Sequence, residues 1–404
     1  MSRPLKVLFF VEGFTDIRFV IGLSEICDLT MAVAARPYAD GGLKQRVAES
    51  GIRIAVHEIP GGRLAFQLRS LRYLLRHARD CDVILAQEVL RGALSANVAG
   101  ALRRVPVVTF TALAPVEYFR CRRERGQIGA ATAVAGEVAI RALMRLNGLM
   151  ATRCVALGEY LRGVASRYCP RCDVGLYYGV DTEAFRPADP AERAELRRRL
   201  DLPADRFVVV LSSRISHEKD PETVLRAVSL ARSRGLDAFV LNLGGGHQQF
   251  LALARAMALP GAAEWVSARP AVHPMHGLAD YYRSADALAQ ASLAEGLGLA
   301  PLEALACGVP VAATAVGGMT VTLAGRARLT PRRDAEAMAE QLLWIAAHPD
   351  EARAQALQGR AYVVREWNRA KAFADLERVL ETVAGPVEPG GRRAADSGAA
   401  RAAS

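Results

Sequence analysis

The sequence predicts an α/β protein built as two parallel-sheet domains. Three observations carry this. Short β-rich apolar runs alternate with helix-period segments in the first 150 residues. A second such series begins after Pro187. Several predicted strands end in glycine or polar loops that lead directly into helices, as βαβ units require.

In chain order, Lys6–Val11 reads as a strand and Asp16–Glu25 as a helix. Leu29–Ala34, Ile52–Ile59, Val83–Ala86 and Val105–Thr111 read as further strands. Leu64–His77 and Leu90–Leu102 have helical periodicity, and so does Glu137–Asn147, interrupted by Arg141 and Arg145. In the second series Phe207–Ser212, Ala238–Leu243, Asp286–Gln290 and Val309–Thr314 read as strands. Pro221 opens a helix to about Arg234, proline being favoured in a first turn. Pro301–Ala306 forms a short helix and Val363–Val383 a last one. The expected domains are 1–185 and 186–365, followed by a helix over 366–385 and a disordered tail over 386–404, rich in Gly, Pro, Ala, Arg and Ser.

The chain has 404 residues, 51% hydrophobic and 23% charged, enough for a large core and incompatible with disorder or collagen. The net charge of +10 first suggests an anionic partner. Yet of 52 basic residues only Lys6, Lys44, Lys219 and Lys371 are lysines. So arginine-rich a composition reflects coding bias, and scattered arginine is weak support for nucleic-acid binding. Seven cysteines, odd in number and widely spread, point to a reducing, cytoplasmic compartment. Cys169 and Cys172 form one CxxC, without the second pair or nearby histidines that zinc requires. Leu5–Val11 is too short for a signal core. The longest uncharged run, Ala304–Gly325, is broken by Gly308, Pro310, Gly317 and Gly318 and reads as helix end, strand and loop.

Three stretches could carry chemistry. In Glu295–Pro310, Gly296 and Gly298 permit close backbone approach, and Pro301 starts a helix whose free N–H groups face that loop. Glu303 in the first turn is also simply stabilising there. Ser212–Asp220 follows a strand's carboxyl end, where open α/β sheets bind ligands. Arg214 and Lys219 could converge there on a diphosphate, and a rare lysine suggests that a compact charge is wanted. Tyr177–Pro187, taken alone, is a turn and a linker.

In this order and spacing the three stretches resemble the family 4 retaining glycosyltransferases of the GT-B fold. The matching residues are Gly179–Pro187, Arg214 with Lys219, Glu295 with Glu303 through Val311, and Gly317–Gly318. The resemblance is strong over roughly 150–320 and weak before that. It implies two Rossmann-like domains facing a cleft, with a C-terminal helix crossing back. It also implies a nucleotide-sugar donor held mainly by the second domain, with no metal and no cofactor. Arg214 and Lys219 would hold the diphosphate and Glu295 would lie by the transferred sugar, these three being the catalytic set. Glu303 would bind ribose, backbone amides at Gly298 and Leu299 would meet the leaving phosphate, and Gly13, at the cleft in the first domain, would also be donor-binding. The acceptor would be a glycan, a lipid-linked molecule or a small molecule. The alternative is a fold relative that binds nucleotide sugar without transfer, such as an epimerase or a non-catalytic partner.

The sequence departs from the family at several places. Glu12-Gly13-Phe14 has one glycine where two are usual, and Thr111 stands where a histidine often contacts the sugar. Tyr178 replaces asparagine, Ala291 proline and Val321 glutamate. Asp80-Cys-Asp82 imitates a metal-binding DxD but precedes a strand, where aspartates serve turns. Gly244–Gly246 imitates a dinucleotide loop without its remaining residues. Finally, Tyr118–Arg125 mixes aromatics with Arg120, Arg122, Arg123 and Arg125. With the amphipathic stretch after it, this segment reads either as an interfacial patch by which the first domain faces an anionic membrane, at its inner face, or as an exposed turn followed by a core-facing helix.

Overall fold

The computed structural model describes residues 3–386 other than Glu88, His217 and Ala271. The tail expected to be disordered lies, from residue 387, outside the described residues. The chain forms two compact units. The first takes residues up to Val116, Ala131–Tyr178 and the chain from Ala370 on; the second takes Glu117–Ala130 and Gly179–Arg369.

The first unit holds seven strands: β1 Lys6–Val11, β2 Asp28–Ala34, β3 Ala55–Ile59, β4 Val83–Ala86, β5 Val107–Thr111, β6 Arg153–Leu157 and β7 Cys172–Gly175. All pairings are parallel, in the order β3-β2-β1-β4-β5-β6-β7. The central strands β1, β4 and β5 are buried on both faces because helices cover both. Leu8, Phe10, Ile84 and Ala86 pack under Phe66 and Leu74 of the helix Arg63–His77. The second unit holds β8 Phe207–Leu211, β9 Ala238–Asn242, β10 Val266–Ala268, β11 Ala287–Gln290, β12 Val311–Thr314 and β13 Arg328–Thr330. Its order is β10-β9-β8-β11-β12-β13, again parallel. Val209, Leu211, Ala289 and Ala312 meet Val224 and Val228 of the helix Pro221–Ser233 and Leu342 of Ala335–Ala347.

Each order reverses once, at β1/β4 and at β8/β11. Ligands of open α/β sheets bind at the carboxyl ends of the strands flanking such a switch point.

Two expectations about the chain's path need correction. The expected single helix Val363–Val383 is two helices, Pro349–Glu366 and Arg369–Ala384. The break is held by a parallel bridge. The Val180 amide donates to the Trp367 carbonyl at 2.7 Å, and the Arg369 amide donates to the Val180 carbonyl at 3.0 Å. Gly179 makes this approach possible. Its φ is +62°, and a Cβ there would lie 2.7 Å from the Asn368 carbonyl oxygen. The Gly-Val-Asp stretch is therefore the point where both crossings of the chain are pinned side by side. Beyond it, Arg369–Ala384 returns to the first unit, as expected, and Phe373 occupies the space that a side chain at Gly22 would need.

The second correction concerns Tyr118–Arg125, which groups with the second unit, not the first. Cys121 packs with Leu293 and Ala294, with Tyr118 against them. Arg125 donates to Asp220 at 2.9 Å and to Glu222 at 3.0 Å. One cation of the candidate membrane patch is thus spent on two carboxylates, leaving Arg122 and Arg123 exposed on the same turn.

Candidate active site

The site is assembled at the β8/β11 switch point of the second unit, from loops that each leave the carboxyl end of a strand. The loop after β8 carries Arg214, Glu218 and Lys219. Its course is fixed by backbone bonds: the Ile215 amide donates to the Gly245 carbonyl at 3.0 Å, and the Leu293 amide donates to the Glu218 carbonyl at 2.7 Å. Gly244 lies so close to Ser213 that a Cβ would stand 1.8 Å from the Ser213 carbonyl oxygen. The triple glycine, a dinucleotide imitation in the sequence, thus shapes this loop instead. Its signal was present as three glycines after a strand; its partner loop was not.

Glu295 is the centre of the arrangement. Its Oε2 accepts from Lys219 Nζ, from Gln290 Nε2 at 2.9 Å and from Ser292 Oγ at 3.2 Å. A carboxylate only accepts, so the amide nitrogen of Gln290 must face it. Among the described residues no donor reaches Oε1. Three donors on one oxygen fix the carboxylate and leave the second oxygen for a ligand hydroxyl. Gln290 is buried at the end of β11, and Ser292 is itself placed by Thr314 of β12, whose hydroxyl donates to the Ser292 carbonyl at 2.6 Å.

Replacing Gln290 by leucine is therefore expected to free Glu295 without opening a large void. Loss of one hydrogen bond to a charge is worth about 1.5–3 kcal/mol. In a unit of this size that corresponds to a melting temperature lower by roughly 3–12 °C, which thermal denaturation would check.

Arg214 pairs with Glu218 at 3.3 Å, yet 62% of its side chain is exposed, so it can turn to an incoming anion. Burial works to raise the Glu218 carboxyl, but its own backbone N–H and the charges of Arg214 and Lys219 hold it below its ordinary value. Glu218 thus stays charged and balances Arg214 and Lys219. The buried Ser213 hydroxyl has no partner among the described residues. Tyr118 comes to this neighbourhood from the segment 117–130. Burial, with the charges of Glu295 and Glu218, holds its phenol well above the ordinary value, so it remains a neutral donor.

Gly298 has φ +85° and caps the helix Leu299–Ala306, whose first amides, Leu299 and Ala300, have no partner within the helix. A Cβ on Gly298 would lie 2.8 Å from Met319 Cγ. Gly317 and Gly318 fold against Glu295 and Gly296: Cβ atoms there would stand 1.9 Å and 2.1 Å from the carbonyl oxygens of those residues. Glu303 is buried one turn into the helix and accepts from the Tyr282 hydroxyl at 3.1 Å. The structure therefore brings Lys219, Glu295, Gly298 and Leu299 onto one loop cluster. Arg214 is on its rim, and Glu303 lies on the helix behind.

Gly13 belongs to the first unit, after β1 at that sheet's own switch point. Beside it Arg91 pairs with Glu12 at 2.9 Å, and the Tyr177 hydroxyl accepts from the Asp16 amide at 3.2 Å and the Gln87 side chain at 2.9 Å. Of the DxD imitation, Asp82 is bound by Arg3 at 2.7 Å and by the Lys6 amide at 2.9 Å, which makes it a structural anchor.

Comparison with known proteins adds to this geometry. Residues 192–361 match the family described as glycosyl transferases group 1. The matched segment contains Arg214, Lys219, Glu295, Gly298, Leu299 and Glu303. Over 262 residues the chain is 35% identical to D-inositol 3-phosphate glycosyltransferase 1 of Catenulispora acidiphila, covering 61% of this chain and 59% of that protein. Over 154 residues it is 40% identical to D-inositol 3-phosphate glycosyltransferase of Frankia alni, covering 36% and 37%. The chain thus spans well under two thirds of these relatives' lengths.

Solved structures share the fold across nearly the whole chain. Anabaena Alr3699/HepE in complex with UDP-glucose superposes with a TM-score of 0.73 at 18% identity, over 93% of this chain and 100% of that one. WaaG, a glycosyltransferase involved in lipopolysaccharide biosynthesis, gives 0.68 at 14% identity, over 94% and 100%. The fold is GT-B.

Proposed function

We propose that the chain is a retaining glycosyltransferase, of the hexosyl-transferring class, that moves a sugar from a nucleoside-diphosphate sugar to an acceptor without a divalent ion. The observation that carries this is the Lys219–Glu295–Gln290–Ser292 knot at the β8/β11 switch point. It sets a cation and an oriented carboxylate beside a helix N-terminus. Departure of a nucleoside diphosphate needs stabilisation of growing negative charge, and fixed cations and amides provide it. Lys219 has three donors, so it can keep Glu295 and still meet a phosphate oxygen. Arg214 supplies a second charge, and the amides of Leu299 and Ala300 further donors. Glu295 Oε1 takes a sugar hydroxyl, and Glu303 the ribose. The complex of HepE with UDP-glucose and the names of the curated relatives support this reading.

The direct test is to follow the anomeric proton of the product by NMR, in EDTA. A retained anomer formed at full rate is expected. An inverted anomer, or activity abolished by the chelator and restored by Mg²⁺, contradicts the reading. An isomerised nucleotide sugar formed without acceptor would instead make the protein an epimerase.

For the acceptor we assign the first unit, acting at the cytoplasmic face of a membrane. Leu64 and Leu68, 83% and 71% exposed, stand on the helix Arg63–His77 with exposed Arg69, Arg72 and Arg76. Apolar side chains among cations suit an anionic lipid surface that carries a lipid-linked acceptor. Burying one leucine contributes about 1.5–3 kcal/mol. Leu64→Asp with Leu68→Asp is therefore expected to weaken binding to phosphatidylglycerol vesicles at least 10-fold in a flotation assay. Unchanged flotation would remove the membrane from this reading and leave a soluble acceptor.

A further inference from the structure

The CxxC pair does not stand alone in the fold. Cys154 on β6 and Cys172 on β7 are register partners on adjacent parallel strands. Side chains of such partners project to the same face, and their Cα atoms stand about 4.8 Å apart, within the range that a disulfide spans. Cys169 lies beside Cys154, each thiol acting on the other's titration. On its other side, Thr111 Oγ1 of β5 is 3.3 Å from Cys154 Sγ. A cavity of about 20 Å³, enough for one water-sized molecule, is lined by Thr111, Cys154, Cys169 and Tyr168 among others. Cys154 and Cys169 are buried, whereas Cys172 is half-buried on the edge strand, where solvent reaches it.

We propose that this thiol trio is a peroxide-oxidised redox site, with Cys172 the attacking sulfur, Cys154 the resolving one and a Cys154–Cys172 disulfide the product. In the first step the Cys172 thiolate attacks hydrogen peroxide. The O–O bond breaks, an S–O bond forms, and the departing hydroxide takes a proton to leave as water. In the second step the Cys154 sulfur attacks the Cys172 sulfenic acid. The S–S bond forms, the S–O bond breaks, and a second water leaves with the Cys154 proton. Two electrons pass from the two thiols to one peroxide.

The surroundings favour this order. The Cys154 thiol and, further off, the charge of Arg162 hold Cys172 below its ordinary value against the effect of burial. Cys169 is driven upward by its contact with Cys154 and by burial, so it stays a protonated, poor nucleophile. Cys27 and Cys81 are likewise pushed up by burial, each to about 12. The disulfide would add a covalent rung to β7, the strand that leads through Leu176–Tyr178 to the first crossing of the chain.

The test is non-reducing peptide mapping by mass spectrometry after limited hydrogen peroxide, on the full chain. The Cys154–Cys172 disulfide is expected as the main product. Iodoacetamide at neutral pH should label Cys172 at least 10-fold faster than Cys154 or Cys169. In Cys154→Ser, Cys172 should accumulate as a sulfenic acid captured by dimedone. In Cys172→Ser, at the half-buried edge position, no disulfide should form while the circular dichroism spectrum is kept. Oxidation of Cys81 ahead of Cys172, a different main disulfide, or no extra dimedone capture in Cys154→Ser would overturn the proposal.

Discussion

Replacing Lys219 by alanine, or Arg214 by alanine, is expected to lower kcat by roughly 10²–10³ with donor saturating, the effect of removing one oxyanion donor. In the proposed reaction the two cations would meet charge that grows as the diphosphate leaves, so their loss would fall on the transition state. Lys219 should be the more severe. Its ammonium is largely buried and also holds Glu295, so its removal leaves that carboxylate with Gln290 and Ser292 alone. Arg214 is exposed, and its loss should spare the fold. Glu303 provides the contrast. A ribose contact changes little between ground and transition states, so Glu303→Gln should raise KM more than it lowers kcat. Near-wild-type kcat in both cation variants would show that this loop does not face the leaving group.

Gly317→Ala should be the most damaging single change to the framework of the site. The residue has φ +49°, and its new Cβ would meet the Glu295 carbonyl oxygen at 1.9 Å. Left-handed strain and overpacking together cost about 2–5 kcal/mol. The clash pushes on the backbone of the very residue whose carboxylate is fixed by Lys219, Gln290 and Ser292. We expect a melting temperature lower by roughly 5–15 °C, scaled for a unit of this size, together with donor affinity reduced at least 10-fold. Gly325→Ala is the control. Its φ is +72° with nothing within 4 Å of the added carbon, so it carries strain without the clash. A melting temperature and donor affinity in Gly317→Ala equal to those of Gly325→Ala would mean that this contact does not hold the loop.

Much of the sheet framework was legible because fully buried parallel strands are continuous apolar runs. Lys6–Val11 and Val83–Ala86 match the structure residue for residue. β6, β7, β10 and β13 were missed. The apolar run of β6, Cys154–Leu157, is only four residues long, β7 mixes Asp173 with Gly175, and Val266–Ala268 and Arg328–Thr330 have three residues each, too few for an alternation to show. The two-helix ending was missed because Trp367–Asn368 contains neither proline nor glycine; the break is imposed by pairing with Val180, nearly two hundred residues earlier.

The site divides in the same way. Glycines beside a strand end and charges between strand and helix are local, so Arg214, Lys219, Glu295 and Gly298 could be picked from sequence. Gln290 read only as the end of a strand, since its role exists through Glu295. Tyr118 and Arg125 read only as a membrane patch or an exposed turn, because nothing local reveals that their segment packs on Leu293, Ala294 and Asp220.

Isothermal titration of the intact chain with nucleoside diphosphates and the matching monophosphates, UDP with UMP first and then GDP with GMP and ADP with AMP, tests the central claim most directly. If the loop after β8 and the helix at Leu299 form a diphosphate site, one diphosphate binds at least 10-fold more tightly than its monophosphate. That gap should close in both Arg214→Ala and Lys219→Ala. Equal affinity for mono- and diphosphate, or no binding of any nucleotide by the folded protein, would contradict the account.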